Sequence, residues 1–268
     1  MIALKSGLEA VARGLVGGDE VITRVRDLLI VQNGTTSLVV ACDSNASIGT
    51  KPQDALKQGP GETGYSASKV PLMEVIAIGA TPFLLIDNLC VELEPYGRRI
   101  LAGVERAAQA SGYPVVVTGS DETNMPTVQT GIGVTVIGVV AEDGLRAGRA
   151  RAGDIVFSVG EPRDGLKLPF TDGEPGIASA GDVRTAVACP YVSEVLPVGS
   201  KGIAYEANEL ARVAGLAFVA DAFPAFDLAV SAGPSTCFLV AGSAEAQAWI
   251  AARTDCVVEP VGRLAPAA

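Results

Sequence analysis

Histidine is absent from the 268 residues. That removes His-ligated zinc, Ser-His-Asp chemistry and any imidazole general base. Proton transfer falls to Asp, Glu, Lys, Tyr, Cys or water. Positive charge is scarce: 20 Lys and Arg stand against 30 Asp and Glu, a formal net charge of −10. A duplex nucleic-acid binder carries a basic surface, so no nucleic-acid partner is expected. Anions remain accessible through backbone N–H groups and Mg²⁺. No CxxC pair occurs among Cys42, Cys90, Cys189, Cys237 and Cys256. Their odd number and scatter read as reduced thiols, mostly buried, in a cytoplasmic protein. The N-terminal MIALKSGLEAVARG lacks a long apolar core, and no run reaches membrane-spanning length, so no membrane partner is expected.

Hydrophobic residues make up 49% and charged residues 19% of the chain, enough for a substantial core. Leu4, Leu8, Val11, Ala12 and Leu15 have helical spacing. Residues 27–32 and 37–43 read as strands joined by the hairpin signal NGTT. Residues 44–68 are rich in glycine and polar residues and read as a long connector. Residues 69–80 read as a helix, 81–92 as a strand and 95–112 as an amphipathic helix ended by Gly112. In 117–140, a strand from Val115 to Thr118 stops at a Gly119–Ser120 turn, and a β-branched run closes the segment. The basic, glycine-containing 141–154 marks a boundary, which divides the chain into 1–148 and 149–268. Beyond it, 154–162 reads as a strand and 163–186 as mostly loop. Residues 199–216 read as a helix, AFVAD and TCFLVAG as strands, and SAEAQAWIAART as a helix. Strands and helices mix in both halves, an α/β (α+β) pattern in two lobes.

Four acids stand out by context. Asp27 opens an apolar strand, Asp43 ends one, Glu74 sits among apolar helix neighbours, and Asp121 ends the Val115–Thr118 strand. Such acids are costly unless paired or bound to a cation. Mg²⁺ takes carboxylate oxygens together with phosphate and water. Either a structural ion network or a metal–nucleotide site explains them.

The order of these segments resembles the ATP-binding superfamily of aminoimidazole ribonucleotide synthetase, thiamine-monophosphate kinase and selenophosphate synthetase, which also holds a hydrogenase-maturation dehydratase. GSDETNMP is similar to the family's Gly-Gly-(Glu/Asp)-Thr…Met-Pro loop. EVIAIGATP resembles its Asp…Met-Gly-Ala-x-Pro helix end, with Glu74 at the usual Asp. RDLLIVQNGTTSLVVACD resembles its paired acidic strands, with Asp27 and Asp43 at acid positions. IGTK (48–51) is similar to a Gly-Thr-Lys element, and RAGDIVFSVG to the start of the second domain. The resemblance implies a two-domain aminoimidazole-ribonucleotide-synthetase-like fold whose N-terminal domain forms a β-barrel across a homodimer.

It further implies ATP and Mg²⁺. Asp27, Asp43, Glu74 and Asp121 would hold metal. Gly119 and the loop residues Ser120 and Thr123 would face phosphates. Glu122 and Asn124 would face phosphate-bound Mg²⁺ or substrate, or cap the turn. Lys51 or Lys69 would reach a phosphate, or either would simply be solvated. Asp121 and Glu122 are the candidate bases.

Where thiamine-monophosphate kinases carry SDGL and GGEDYEL, this chain reads GSKGI (199–203) and SAGPSTCFL (231–239), so Lys201 replaces an acid. PVGSKGIAYEANEL with SAGPSTC resembles the α-ribazole kinases of the superfamily, which phosphorylate the 5′-hydroxyl of a nucleoside in cobamide salvage. Gly199–Gly202 either face an anion or let Ser200 cap the next helix. The 231–237 segment either closes over substrate or is a simple turn set by Gly233–Pro234, and the 160–182 loop either covers ATP or acceptor or is a disordered insertion. The alternatives are another ATP-dependent enzyme of the superfamily or a non-catalytic nucleotide-binding protein.

Overall fold

The computed structural model describes residues 7–14, 16–18, 21–167, 170–171 and 173–267. Helix α1 covers Gly7–Ala12; Leu4 and Leu15 of the expected first helix lie outside the described residues. Strands β1 (Ile22–Val25), β2 (Leu28–Asn33) and β3 (Thr36–Ala46) follow as a meander. The expected hairpin is present: Asn33 pairs with Thr36 across Gly34, whose φ of 68° is one that a glycine adopts without strain.

Residues 44–68 are not a long connector. β3 runs on to Ala46, the short parallel pair β4 (Ile48–Gly49) and β5 (Leu56–Lys57) follows, and α2 spans Pro60–Ala77. Pro60 suits the first helical turn. The small residues of its first half disguise the helix. A Cβ on Gly64 would stand 2.1 Å from Ile100 O, and one on Gly103 1.9 Å from Gly61 O. Glycine at both places lets α2 lie backbone-to-backbone against α3 (Arg98–Ala110). α2 is buried almost all round, so it lacks the polar face that marks a surface helix.

β6 (Thr81–Leu89), β7 (Val116–Asp121) and β8 (Gly131–Ala141) complete a six-stranded sheet of order β1-β2-β3-β8-β6-β7. Gly119–Ser120 is not a turn: both residues lie in β7, opposite Asp87 and Asn88 of β6. The second sheet has order β10-β12-β9-β13-β11. Its strands are β9 (Ile155–Val159), β10 (Val192–Pro197), β11 (Leu216–Ala220), β12 (Phe238–Gly242) and β13 (Val258–Pro266). Helices α4 (Ala180–Val187), α5 (Gly202–Val213) and α6 (Glu245–Ala251) accompany it. α4 opens with a capping box in which Ser179 and Asp182 exchange bonds. Both sheets are open. One apolar core runs from Val39, Leu72 and Val136 into Phe157, Val183 and Val240, with α2 packed against both halves.

Candidate active site

The turn between β1 and β2, strand β3 and helix α2 bring Asp27, Asp43 and Glu74 to one cavity of about 400 Å³. The second half supplies its other wall: Gly199 and Ser200 before α5, Ser231 and Gly233–Ser235, and Asp164, Gly165, Leu166 and Phe170. Asp27 also lines two adjoining cavities, which add Arg26 and Glu206, and then Lys201 and Tyr205. No Lys or Arg is among the described residues lining the first cavity, whereas Asp164 is a fourth carboxylate there.

Their electrostatics follow from this crowding. Burial, with the charges of Asp27, Asp43 and Glu206, pushes the Glu74 carboxyl up to about 8. Glu74 Oε2 is buried without a hydrogen-bond partner. Burial and Asp27 push Glu206 up to about 7, against a backbone hydrogen bond at Gly199. Burial also raises Asp43, partly offset by a backbone hydrogen bond at Ser44. Cys42, adjacent on β3, is exposed and lines the cavity, with Sγ 3.3 Å from Thr135 Oγ1. Cys42 is therefore an exception to the expectation that the thiols are mostly buried. Cys189, Cys237 and Cys256 are buried as expected, and Cys90 is exposed.

Other expected residues stand elsewhere in the chain. Asp121 ends β7, where it accepts from Thr123 Oγ1, and its charge acts on Asp87. Asp87 is buried, which together with Asp121 pushes it up to about 6. A Cβ on Gly119 would lie 2.5 Å from the Asp87 carboxyl carbon, so glycine is what lets the two strands close here. Glu122 Oε1 accepts from Asn124 N at 2.9 Å, a local turn cap. None of Gly119, Ser120, Asp121, Glu122, Thr123 or Asn124 lines the acidic cavity.

The lysines also have partners. Lys51 Nζ donates to Glu92 Oε2 at 2.6 Å and to Thr127 O at 3.1 Å. Lys69 is neither solvated nor in the cavity lining: it is 1% exposed, with Nζ 3.3 Å from Ala178 O and 5.0 Å from the Phe170 ring centre. Lys201 Nζ donates to Tyr205 Oη at 3.1 Å, and that bond raises its pKa. Ser200 does not cap α5; Lys201 occupies the cap position without a side-chain bond.

Sequence reasoning missed Glu206, whose helix reads as an ordinary surface helix, and Asp87, whose signal was an acid inside FLLIDNL. It also missed the network beneath the 47–58 segment. Asp54 accepts from Thr130 N at 2.6 Å, Thr130 Oγ1 at 2.7 Å and Lys51 N at 2.7 Å.

Two open sheets bridged by a buried helix, with an acid-lined cleft between them, define a mixed α/β protein. More particularly, residues 17–140 match the family described as AIR synthase related protein, N-terminal domain. Thiamine-monophosphate kinase of Archaeoglobus fulgidus is 29% identical over 116 residues, which cover 42% of this chain and 38% of that protein. The match thus spans little more than a third of that relative's length. The structure of AaThiL complexed with AMPPCP and TMP superposes with a TM-score of 0.65 at 19% identity, over 100% of this chain and 94% of that one. Thiamine-monophosphate kinase from Stenotrophomonas maltophilia gives 0.64 at 17% identity, over 100% and 95%. These comparisons support the superfamily, and the structural ones show its fold. No helix among the described residues is long and apolar enough to cross a membrane.

Proposed function

We propose that the chain is an ATP-dependent phosphotransferase acting on the 5′-hydroxyl of α-ribazole. The observation that carries this is the convergence of Asp27, Asp43, Glu74 and Glu206 on one cleft, with Glu74 Oε2 buried and unpartnered. A fold without use for these acids would not hold them together at such cost. Hard carboxylate oxygens fit Mg²⁺. Among the described residues, no three acidic or thiol side chains stand together as a ready metal-binding group. Nucleotide phosphate oxygens would complete the shell, as Mg²⁺ prefers. Asp27, Asp43 and Glu74 are the residues we assign to it. Asp121, with the Gly119–Asn124 segment, remains our candidate for the nucleotide-facing loop.

Bound Mg²⁺ supplies neutralisation of the phosphates' charge. The chain's own residues position the reactants. The acceptor oxygen forms a bond to the γ-phosphorus, the bond from that phosphorus to the β–γ bridging oxygen breaks, and ADP leaves. The hydroxyl proton passes to a carboxylate of the cleft or to water. Ser231, Gly233–Ser235, Asp164–Leu166 and Phe170 form the acceptor's wall, and Lys201 at the adjoining cavity faces departing charge. A chamber with four carboxylates and, among the described residues, no Lys or Arg in its lining favours an uncharged nucleoside over an acceptor that already carries phosphate. That favours α-ribazole over a thiamine-monophosphate-kinase-like activity.

We further infer a cytoplasmic homodimer divided at 148/149. The exposed Phe83 and Val139 on the first sheet support pairing of that face into a barrel across a twofold axis. Sedimentation at a monomer's mass would overturn the dimer. The functional test is ADP release from Mg-ATP with α-ribazole, with thiamine monophosphate and with no acceptor. ADP appearing only with α-ribazole supports the reading. ADP with thiamine monophosphate alone reassigns the acceptor.

A further inference from the structure

We propose that Arg26 is a positioning residue: its buried ion pair with Glu194 holds the neighbouring Asp27 in the cleft. This rests on reading the cleft as a metal–nucleotide site.

Val25 pairs with Leu28, so Arg26 and Asp27 alone form the turn between β1 and β2. Arg26 adopts φ 54°, a left-handed conformation that costs a non-glycine residue backbone energy. Such a conformation persists where surrounding contacts over-determine it. Here the contact is visible. Arg26 Nη2 donates to Glu194 Oε1 on β10 of the other sheet. The two side chains are 11% and 1% exposed. Glu194 Oε2 accepts from Ala150 N at 3.1 Å. One buried carboxylate therefore ties the turn, the segment between the sheets and β10 together.

A buried ion pair is weak evidence for stability, since well-packed apolar residues often do as well. What this pair supplies is location. Asp27 is one peptide from the anchor, lines all three adjoining cavities, and acts electrostatically on both Glu74 and Glu206. Releasing Arg26 frees the turn that presents Asp27. A salt bridge that served only the fold would have no such effect on a ligand.

The test is Mn²⁺ binding in the presence of the non-hydrolysable analogue AMPPCP, followed by the electron paramagnetic resonance signal of free Mn²⁺. The principal variant is R26G/E194Q. Glycine keeps the left-handed turn, and glutamine avoids an unpaired buried charge. Outer groups that orient metal ligands typically contribute roughly 10- to 100-fold in affinity, so at least about tenfold weaker binding is expected, with an unaltered circular dichroism spectrum. The conservative variant R26K retains a cation for Glu194 and should recover most of the affinity. Should the double variant fail to fold, E194Q alone carries the same expectation. Wild-type affinity in a folded R26G/E194Q protein overturns the positioning role and leaves the metal reading intact. Wild-type protein that binds no Mn²⁺ with AMPPCP overturns the metal reading, and the positioning role with it.

Discussion

Two groups of carboxylates in this chain have opposite surroundings. Asp54 accepts three hydrogen bonds from Thr130 and Lys51, and Glu92 is met by Lys51 and by both the backbone and hydroxyl of Thr127. Burial raises Asp54, but those bonds outweigh it and hold the group below the usual carboxylate range. The Lys51 ammonium, with the Thr127 donors, holds Glu92 well below that range. In the cleft the balance reverses. Glu74, Glu206 and Asp43 are all raised, with burial the largest cause. Satisfied acids stiffen the 47–58 segment that borders the cavity through Ile48, Leu56 and Gln58. In the cleft Glu74 Oε2 has no partner, and burial outweighs the backbone hydrogen bonds that Asp43 and Glu206 accept, so a bound cation would relieve all three.

The largest effect that would break this comparison is on turnover. E74Q and D27N each remove a cleft carboxylate and should lower ATP turnover at least about 100-fold, the scale of losing a preorganised charge contact. Thermal melting should show both variants folded. D54A should do the reverse. It strands three donors in the buried interior and should cost about 2–3 kcal/mol in chemical denaturation. The folded fraction should keep its nucleotide affinity. A D54A protein that melts normally but no longer turns over ATP would merge the two groups.

A third difference lies in pH. Folded Glu74 holds its proton up to about 8, against 4.5 for the free group. The folded state therefore binds more protons than the unfolded chain throughout that window, and stability falls as pH rises from 4.5 to 8. The raised group contributes fully below 4.5, and its contribution is gone above about 8. After allowance for partial solvent access the loss should be about 2 kcal/mol across the window. Urea unfolding of the metal-free protein at a series of pH values measures it. E74Q should flatten the slope. Mg²⁺ affinity should run the other way, tightening as pH rises and the cleft carboxylates ionise. A wild-type slope unchanged by E74Q would remove Glu74 from the reading.

How much of this was legible depended on what each residue needs from its neighbours. The β2–β3 hairpin was readable because its turn chemistry is local. Asp27, Asp43 and Glu74 were readable as acids in apolar company, a cost visible without coordinates. α2 was half hidden, because a helix buried on all sides and packed through Gly61 and Gly64 has the composition of a loop. β10 and β13 were missed: each contains proline, and β13 is bulged between Pro260 and Gly262. The partners of Lys51 and Lys69 were invisible, since Glu92 and Ala178 are 41 and 109 residues away. A sequence shows a costly charge more readily than the group that relieves it.

The smallest effect separates the cleft from the end of β7. Asp121 acts on Asp87 and is not among the groups that raise Glu74. D121N should lower the Asp87 pKa from about 6, because a like charge disappears while the burial that is its larger cause stays. The shift should be below about one unit, since the removed charge is the lesser cause. Carbon-detected NMR titration of the carboxyl groups reads both sites in one experiment. Glu74 should titrate near 8 in wild type and in D121N alike. If D121N moves Glu74 as far as it moves Asp87, the two acid groups meet in the solution assembly. Asp121 would then face the same ligand as Asp27, Asp43 and Glu74, although within one chain it stands apart from them.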